Sequence, residues 1–175
     1  MTKLECLIGI LNTVPLNNIT TAALPLELLH HFKYLSIASA NKNLVYLATP
    51  KGHPFDACFV DRVQEKIIST IEFKCVQNDV FLGPLHLKRL ESKYSKVDFL
   101  DLGFLKKESF DRQLDFLVNE YIPLNEGTKI EVSNFSSSIV ENACTPLFEK
   151  QALEIFTEHH QLIPEIELLT EKLLI

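Results

Sequence analysis

The sequence predicts an α/β (or α+β) fold. The expected core is a mixed sheet of about five to six strands around a central βαβ unit, with helices packed on it and an all-helical C-terminal segment. Three observations carry this. Residues 97–102 are a short, mostly apolar run ending at Gly103. Residues 109–121 place Phe110, Leu114, Leu117, Val118 and Tyr121 on one helical stripe. Residues 128–132, entered through Asn125-Glu126-Gly127, read as a second strand. Two strands joined through a helix form a parallel pair, because a parallel connection needs a crossover of that length.

A chain of 175 residues is expected to be a single domain, 1–175, with possible sub-lobes at 1–94 (αββαβα) and 95–175 (βαβ plus C-terminal helices). A hydrophobic fraction of 46% with 23% charged residues fits a packed globular core and excludes wholesale disorder. The net charge of −6 is uneven, since residues 141–175 hold seven Glu against Lys150 and Lys172. With only three arginines, Arg62, Arg89 and Arg112, the composition argues against a nucleic-acid partner. Cys6, Cys58, Cys75 and Cys144 form no CxxC pair, so they are read as reduced, mostly buried thiols. Residues 7–11 are too short for a signal core, and Asn, Thr and Pro break up the uncharged stretch 6–26. No membrane insertion is expected, and the cytoplasm is the expected location.

In chain order, Thr2-Lys3-Leu4-Glu5 matches a capping box before a helix over 4–11. Residues 12–23 form a polar connection. Leu24-Pro25 opens a second helix, to Phe32, with Pro where its missing N–H costs nothing. Residues 34–38 and 44–49 read as a hairpin around Asn41-Lys42-Asn43. Pro54 starts a helix whose Phe55, Phe59, Val63 and Ile67 recur at every fourth position. Residues 70–76 read as a strand and 80–82 as a short partner. Gly83-Pro84 opens a helix to about Lys93 with Leu85, Leu87 and Leu90 inward. After the central unit come helices beginning near Ile139, over 149–159 and over 165–174.

No specific catalytic or metal signature is present. The five glycines are isolated, which excludes GxGxxG and GxxxxGK[ST], and there is no GxSxG. His30-His31 and His159-His160 are adjacent pairs; neighbours on a helix diverge by about 100°, so neither pair can share one metal in a regular helix. No cofactor and no metal is therefore expected. The polar residues that a strand-end ligand could meet are Asp101, Ser109, Ser136, Ser137 and Ser138. The serines at 136–138 equally suit the capping of a helix start.

Residues 24–94, with Leu24-Pro25, Glu27-Leu28, the strand Leu44-Val45-Tyr46-Leu47-Ala48-Thr49-Pro50 and Ile71-Glu72-Phe73, resemble the small N-terminal domain of type II secretion and type IV pilus assembly ATPases. That resemblance implies docking onto a partner protein without catalysis, within a bacterial secretion- or pilus-type assembly; the arginine- and glycine-bearing motifs of the versions that bind a cyclic dinucleotide are missing. Residues 71–160 are similar to a STAS domain, the sulfate-transporter and anti-sigma-antagonist module. The similarity rests on residues 97–102, on 129–134 and on Ser136-Ser137-Ser138. It implies a phospho-regulated switch at Ser109, within Glu108-Ser109-Phe110-Asp111, where the family's glycine is lacking.

The leading expectation is a non-catalytic, cytoplasmic protein–protein interaction or regulatory module, with a protein partner or a second copy docking on the acidic helical tail. The competing expectation is a small enzyme or ligand-binding protein that uses the strand ends near Asp101 and Ser136–Ser138.

Overall fold

A computed structural model describes residues 29–31, 33–35, 37, 38, 40–49, 53–76, 80–104, 106–124, 129–135, 154, 158 and 165–174. One five-stranded sheet, in the order β1-β2-β3-β4-β5, organises them. The strands are β1 (Leu44–Ala48), β2 (Ala57–Asp61), β3 (Lys66–Val76), β4 (Phe99–Phe104) and β5 (Lys129–Asn134). The helices are α1, described within residues 29–38, α2 (Pro84–Lys93), α3 (Lys107–Asn119) and α4 (Ile166–Leu174). The mixed α/β architecture and the C-terminal helix match the sequence reading.

The first three strands form an antiparallel meander, and β3, β4 and β5 run parallel. Each parallel step carries its crossover helix, α2 between β3 and β4 and α3 between β4 and β5. The expected central βαβ unit is thus present, and a second one precedes it. β3 is the hinge of the topology: antiparallel to one neighbour, parallel to the other, and eleven residues long.

Both faces of the sheet are covered. On one face α1 supplies Leu29, Tyr34, Leu35 and Ala38, which pack on Tyr46, Ala57, Ile71, Phe73 and Phe135. On the other face two clusters lie side by side. Val45, Leu47, Cys58 and Val60 pack under Ile166, Leu169 and Leu174 of α4. Leu100, Leu102, Phe104 and Val76 pack under Leu87 and the part-buried Phe110, Phe116 and Leu117. Glu72 and Lys74 share the face of Val76, because side chains two apart on a strand point the same way.

Three expected elements differ. Tyr34, Leu35, Ile37 and Ala38, expected in a strand over 34–38, lie in α1, where Tyr34 and Ala38 sit one turn apart and both face the sheet. Their β-branched and aromatic character is overridden by tertiary packing. The helix expected from Pro54 to Ile68 is instead the hairpin of β2 and β3. β2 is apolar on both sides, with Ala57 and Phe59 toward α1 and Cys58 and Val60 toward α4, so no alternation marks it as a strand. Its turn, residues 62–65, lacks Gly and Pro; Glu65 takes the left-handed conformation there at φ 53°. The partner strand expected at 80–82 is extended chain held by α3: Gln113 accepts from the Leu82 N–H at 2.9 Å and donates to its carbonyl at 3.0 Å. The segments 4–11, 139–153 and most of 149–164 lie outside the described residues.

Candidate functional site

A strand buried on both faces is ordinarily a continuous apolar run. β3 breaks that rule at Glu72 and Lys74, between Ile71, Phe73 and Val76. The Glu72 side chain is only 11% exposed, and its Oε1 lies 3.1 Å from the Lys74 ammonium. Acids are almost never this buried unless paired.

A second carboxylate joins them from β2. Asp56 directly precedes that strand, donates its N–H to the Ile71 carbonyl at 3.0 Å, and accepts the Phe73 N–H on Oδ2 at 2.8 Å. Its side chain therefore spans the rung that carries Glu72. Cys58 and Val60 face α4, so Asp56, two residues earlier, belongs by alternation to the face of Glu72 and Lys74. The three groups fall where that face passes from the cluster under α4 to the cluster under α2 and α3.

Lys74 is held in its charged form. Burial works against the ammonium, but its contacts with Tyr94 and Glu72 outweigh that and raise its pKa. Its Nζ also stands 4.7 Å from the centroid of the Tyr94 ring. On the far side of Lys74 opens a cavity of about 280 Å³, walled by Val76, Leu82, Leu90 and Leu102 with His86.

The flank of this site is basic. On α2 and the turn after it, Arg89, Lys93 and Lys96 are exposed and Lys88 is half-exposed. The one acid of that stretch, Glu91, is turned inward, where it accepts from the Tyr121 hydroxyl at 2.8 Å and the Leu124 N–H at 2.7 Å. The outward charge of α2 is therefore positive although the chain is acidic overall.

The residues singled out from sequence alone take other places. Asp101 sits in the middle of β4, fully buried on the α1 face. It accepts from Lys33 Nζ at 2.9 Å, from Ser133 Oγ at 2.7 Å and from the Tyr34 hydroxyl. Burial by itself works to raise its pKa; His30, Lys33 and Tyr34 outweigh burial and hold the carboxyl well below the usual carboxylate range. Ser109 is half-buried in the first turn of α3, which packs on the opposite face, so the structure does not bring it to Asp101. Ser136, Ser137 and Ser138 lie outside the described residues. Their near neighbour Ser133 is the serine that meets Asp101.

Next to Asp101 lies His30, fully buried, with neither ring nitrogen hydrogen-bonded. Its Nδ1 is 3.7 Å from Asp101 Oδ2, beyond hydrogen-bond distance. Gly103 makes room for it: a Cβ there would stand 2.7 Å from His30 Nε2 and 2.7 Å from the Phe135 ring. Gly103→Ala is therefore expected to destabilise the fold by about 1–3 kcal/mol, as overpacking does. Chemical denaturation of the two chains checks this, and equal midpoints would refute it.

Sequence reading missed Asp56, Glu72 and Lys74 because residues 54–68 were read as a helix, which takes Asp56 off the sheet. The available signal is the Glu-x-Lys spacing inside the otherwise apolar stretch 71–76, since only a charged pair with a task or a partner belongs there. No protein-family model matches the chain, and no curated protein or solved structure matches it significantly.

Proposed function

We propose that the chain hydrolyses phosphodiester bonds of a nucleic acid, using a divalent cation at Asp56 and Glu72. The observation that carries this is the placement of Asp56, just before β2 with its carboxylate on the Phe73 N–H, beside the strand segment that holds the Glu72–Lys74 ion pair. Among the described residues no group of three or more His, Cys, Asp and Glu could hold a metal ion. A magnesium site does not need one: Mg²⁺ keeps several waters and is commonly bound by one or two carboxylates plus substrate phosphate. Two hard oxygen donors on a rigid sheet fit that demand. A bound divalent cation would supply Lewis-acid polarisation of the phosphoryl oxygens.

The chain's own groups supply the rest. Lys74 stays protonated and sets a fixed positive charge where negative charge develops on the phosphate. Its link to Glu72 fixes the ammonium in place before substrate arrives. In the reaction a water oxygen bonds to phosphorus, the ester P–O bond breaks, and the departing oxygen takes a proton. The basic face of α2 supports a polyanionic substrate, because Lys and Arg contacts to phosphates dominate nucleic-acid affinity. The acidic composition counts against such a partner for the chain as a whole; the exposed charge of α2 has the opposite sign.

The test is cleavage of end-labelled single- and double-stranded DNA and RNA by the full chain with Mg²⁺ or Mn²⁺. Products that require the metal and disappear with EDTA are expected. No product on any of the four substrates would sink the reading.

A second reading rests on a separate observation. Leu114 and Val118 of α3 and the following Ile122 form an exposed apolar row, with Ile122 at 79% exposure. An exposed row of this kind suits a protein–protein contact, as an interaction module would have, though on α3 and not on the C-terminal tail expected from the sequence. Light scattering on the purified chain addresses self-association. If wild type and Val118→Lys were equally monomeric, a second copy would be excluded as the occupant.

A further inference from the structure

We infer that Phe73 is a positioning residue for Glu72 and Lys74, gripped by α1 from the opposite face of the sheet. This rests on the reading of Asp56, Glu72 and Lys74 as the reacting groups.

Phe73 is the residue between the two charges, so its side chain points to the face they leave. There its ring meets three side chains of one helix. His30 stacks on it at 4.7 Å between centroids and 4° between planes. His31 meets it edge-on at 5.0 Å and 88°. Tyr34 lies parallel at 5.7 Å and 13°. The Phe73 N–H, in turn, is the donor that anchors the Asp56 carboxylate. A single residue thus ties all three groups: its backbone holds Asp56, and its ring sets the strand segment that carries Glu72 and Lys74.

The gripping helix is itself fixed to three other strands. Lys33 and Tyr34 bond Asp101, which is the register partner of Phe73 on β4. Lys33 also donates to Ser133 of β5 at 2.7 Å, and His31 bonds the Tyr46 hydroxyl of β1. The nitrogens of His30 make no hydrogen bond; beside its closeness to Asp101, His30 lays a flat ring on Phe73 and meets the Phe135 ring at 4.8 Å and 89°. A cluster built in this way holds a constellation to the fraction of an ångström that catalysis needs.

The experiment compares wild type, Phe73→Leu and Phe73→Tyr as full chains, each shown folded by circular dichroism and thermal melting. Three quantities are read: kcat and KM on a labelled oligonucleotide, and Mn²⁺ affinity by calorimetry. Phe73→Leu keeps an apolar core but loses the stacked faces, so kcat should fall by about tenfold to a hundredfold with KM nearly unchanged. Mn²⁺ affinity should weaken in parallel, since the Asp56 and Glu72 carboxylates lose their setting. Phe73→Tyr restores the ring and should return kcat to within about threefold of wild type. His30→Ala, which removes the stacking partner and leaves Phe73 in place, should follow Phe73→Leu. A folded Phe73→Leu chain with wild-type kcat and Mn²⁺ affinity would overturn the inference while leaving the site intact. A wild-type chain that neither binds Mn²⁺ nor cleaves would overturn the site, and the inference with it.

Discussion

A Glu72→Gln chain, folded and saturated with Mg²⁺, is expected to cleave a nucleic-acid substrate at least about a hundredfold more slowly than wild type, because removing even an outer partner of a metal site costs 10- to 100-fold. Glutamine keeps the size of the side chain and one oxygen, so the fold should survive; what it lacks is the charge that pairs with Lys74 and that would hold a cation. Asp56→Asn removes the other carboxylate and should act in the same direction. Lys74→Met tests the ammonium separately. It keeps the aliphatic length beside Tyr94 and should lower kcat by about 10²–10³-fold, the usual cost of losing one preorganised group that faces developing charge. Steady-state cleavage by the three variants checks the set. Wild-type rates from a folded Glu72→Gln chain would remove Glu72 from the reaction.

The largest stability effect is expected at Asp101. Truncating it to alanine leaves the Lys33 ammonium, the Tyr34 hydroxyl and Ser133 Oγ without their shared acceptor. Lys33 is one-third exposed and can turn to water, but each of the two buried hydroxyls left without its acceptor costs about 1–3 kcal/mol, together enough to consume much of a small domain's stability. Asp101→Asn keeps one acceptor oxygen and should cost less. The acid side of the pH–stability curve gives the same group a second test. Its folded-state pKa lies below the unfolded value of about 3.9, so the folded state binds fewer protons at this carboxyl. The stabilisation is complete above about pH 5, and it is lost as the pH falls through 4 toward the folded pKa. Asp101→Asn should flatten that slope. At the alkaline end Tyr34 works with the opposite sign. Burial, and then the neighbouring Asp101 charge, push its phenol pKa up. Its contribution is present below the unfolded value of about 10 and is lost as the pH rises above it. Urea titrations from pH 3 to pH 7 on wild type and Asp101→Asn decide the acid limb, and parallel curves would refute it.

The parts of this fold that were legible in the sequence are those where pattern and environment agree. The parallel unit of β4, α3 and β5 is closed after its helix by Pro123, and of the stripe expected on α3, Phe110, Leu117 and Tyr121 turn to the sheet together with Phe116, whereas Leu114 and Val118 are exposed. α2 begins at the Pro84 that announces it. Where a strand is apolar on both faces, the pattern fails. β2 shows no alternation because α1 and α4 cover it from both sides, and its accidental fourfold spacing of Phe and Val imitates a helix. α1 is the converse: Tyr34 and Ile37 have strand preferences, which the docking of Leu29, Tyr34, Leu35 and Ala38 on the sheet overrides.

The site was less legible than the fold. Asp101 stood out in the sequence because it closed the apolar run 97–102, but β4 continues through Gly103 to Phe104 and carries the acid into the interior. Its polarity serves the docking of α1. Asp56 is sixteen residues from Glu72 and eighteen from Lys74, across a hairpin whose turn has no marker residue, so nothing local links it to that pair. Only the register of β2 on β3 does.

Calorimetric titration of Mn²⁺ into the full chain near pH 7, run beside Asp56→Asn and Glu72→Gln, tests the central claim most directly. Binding at one site in wild type, weakened at least about tenfold in each variant, is the expected result. Wild type that binds no Mn²⁺, or variants that bind it as tightly as wild type, would contradict the assignment of these carboxylates to a metal-dependent site.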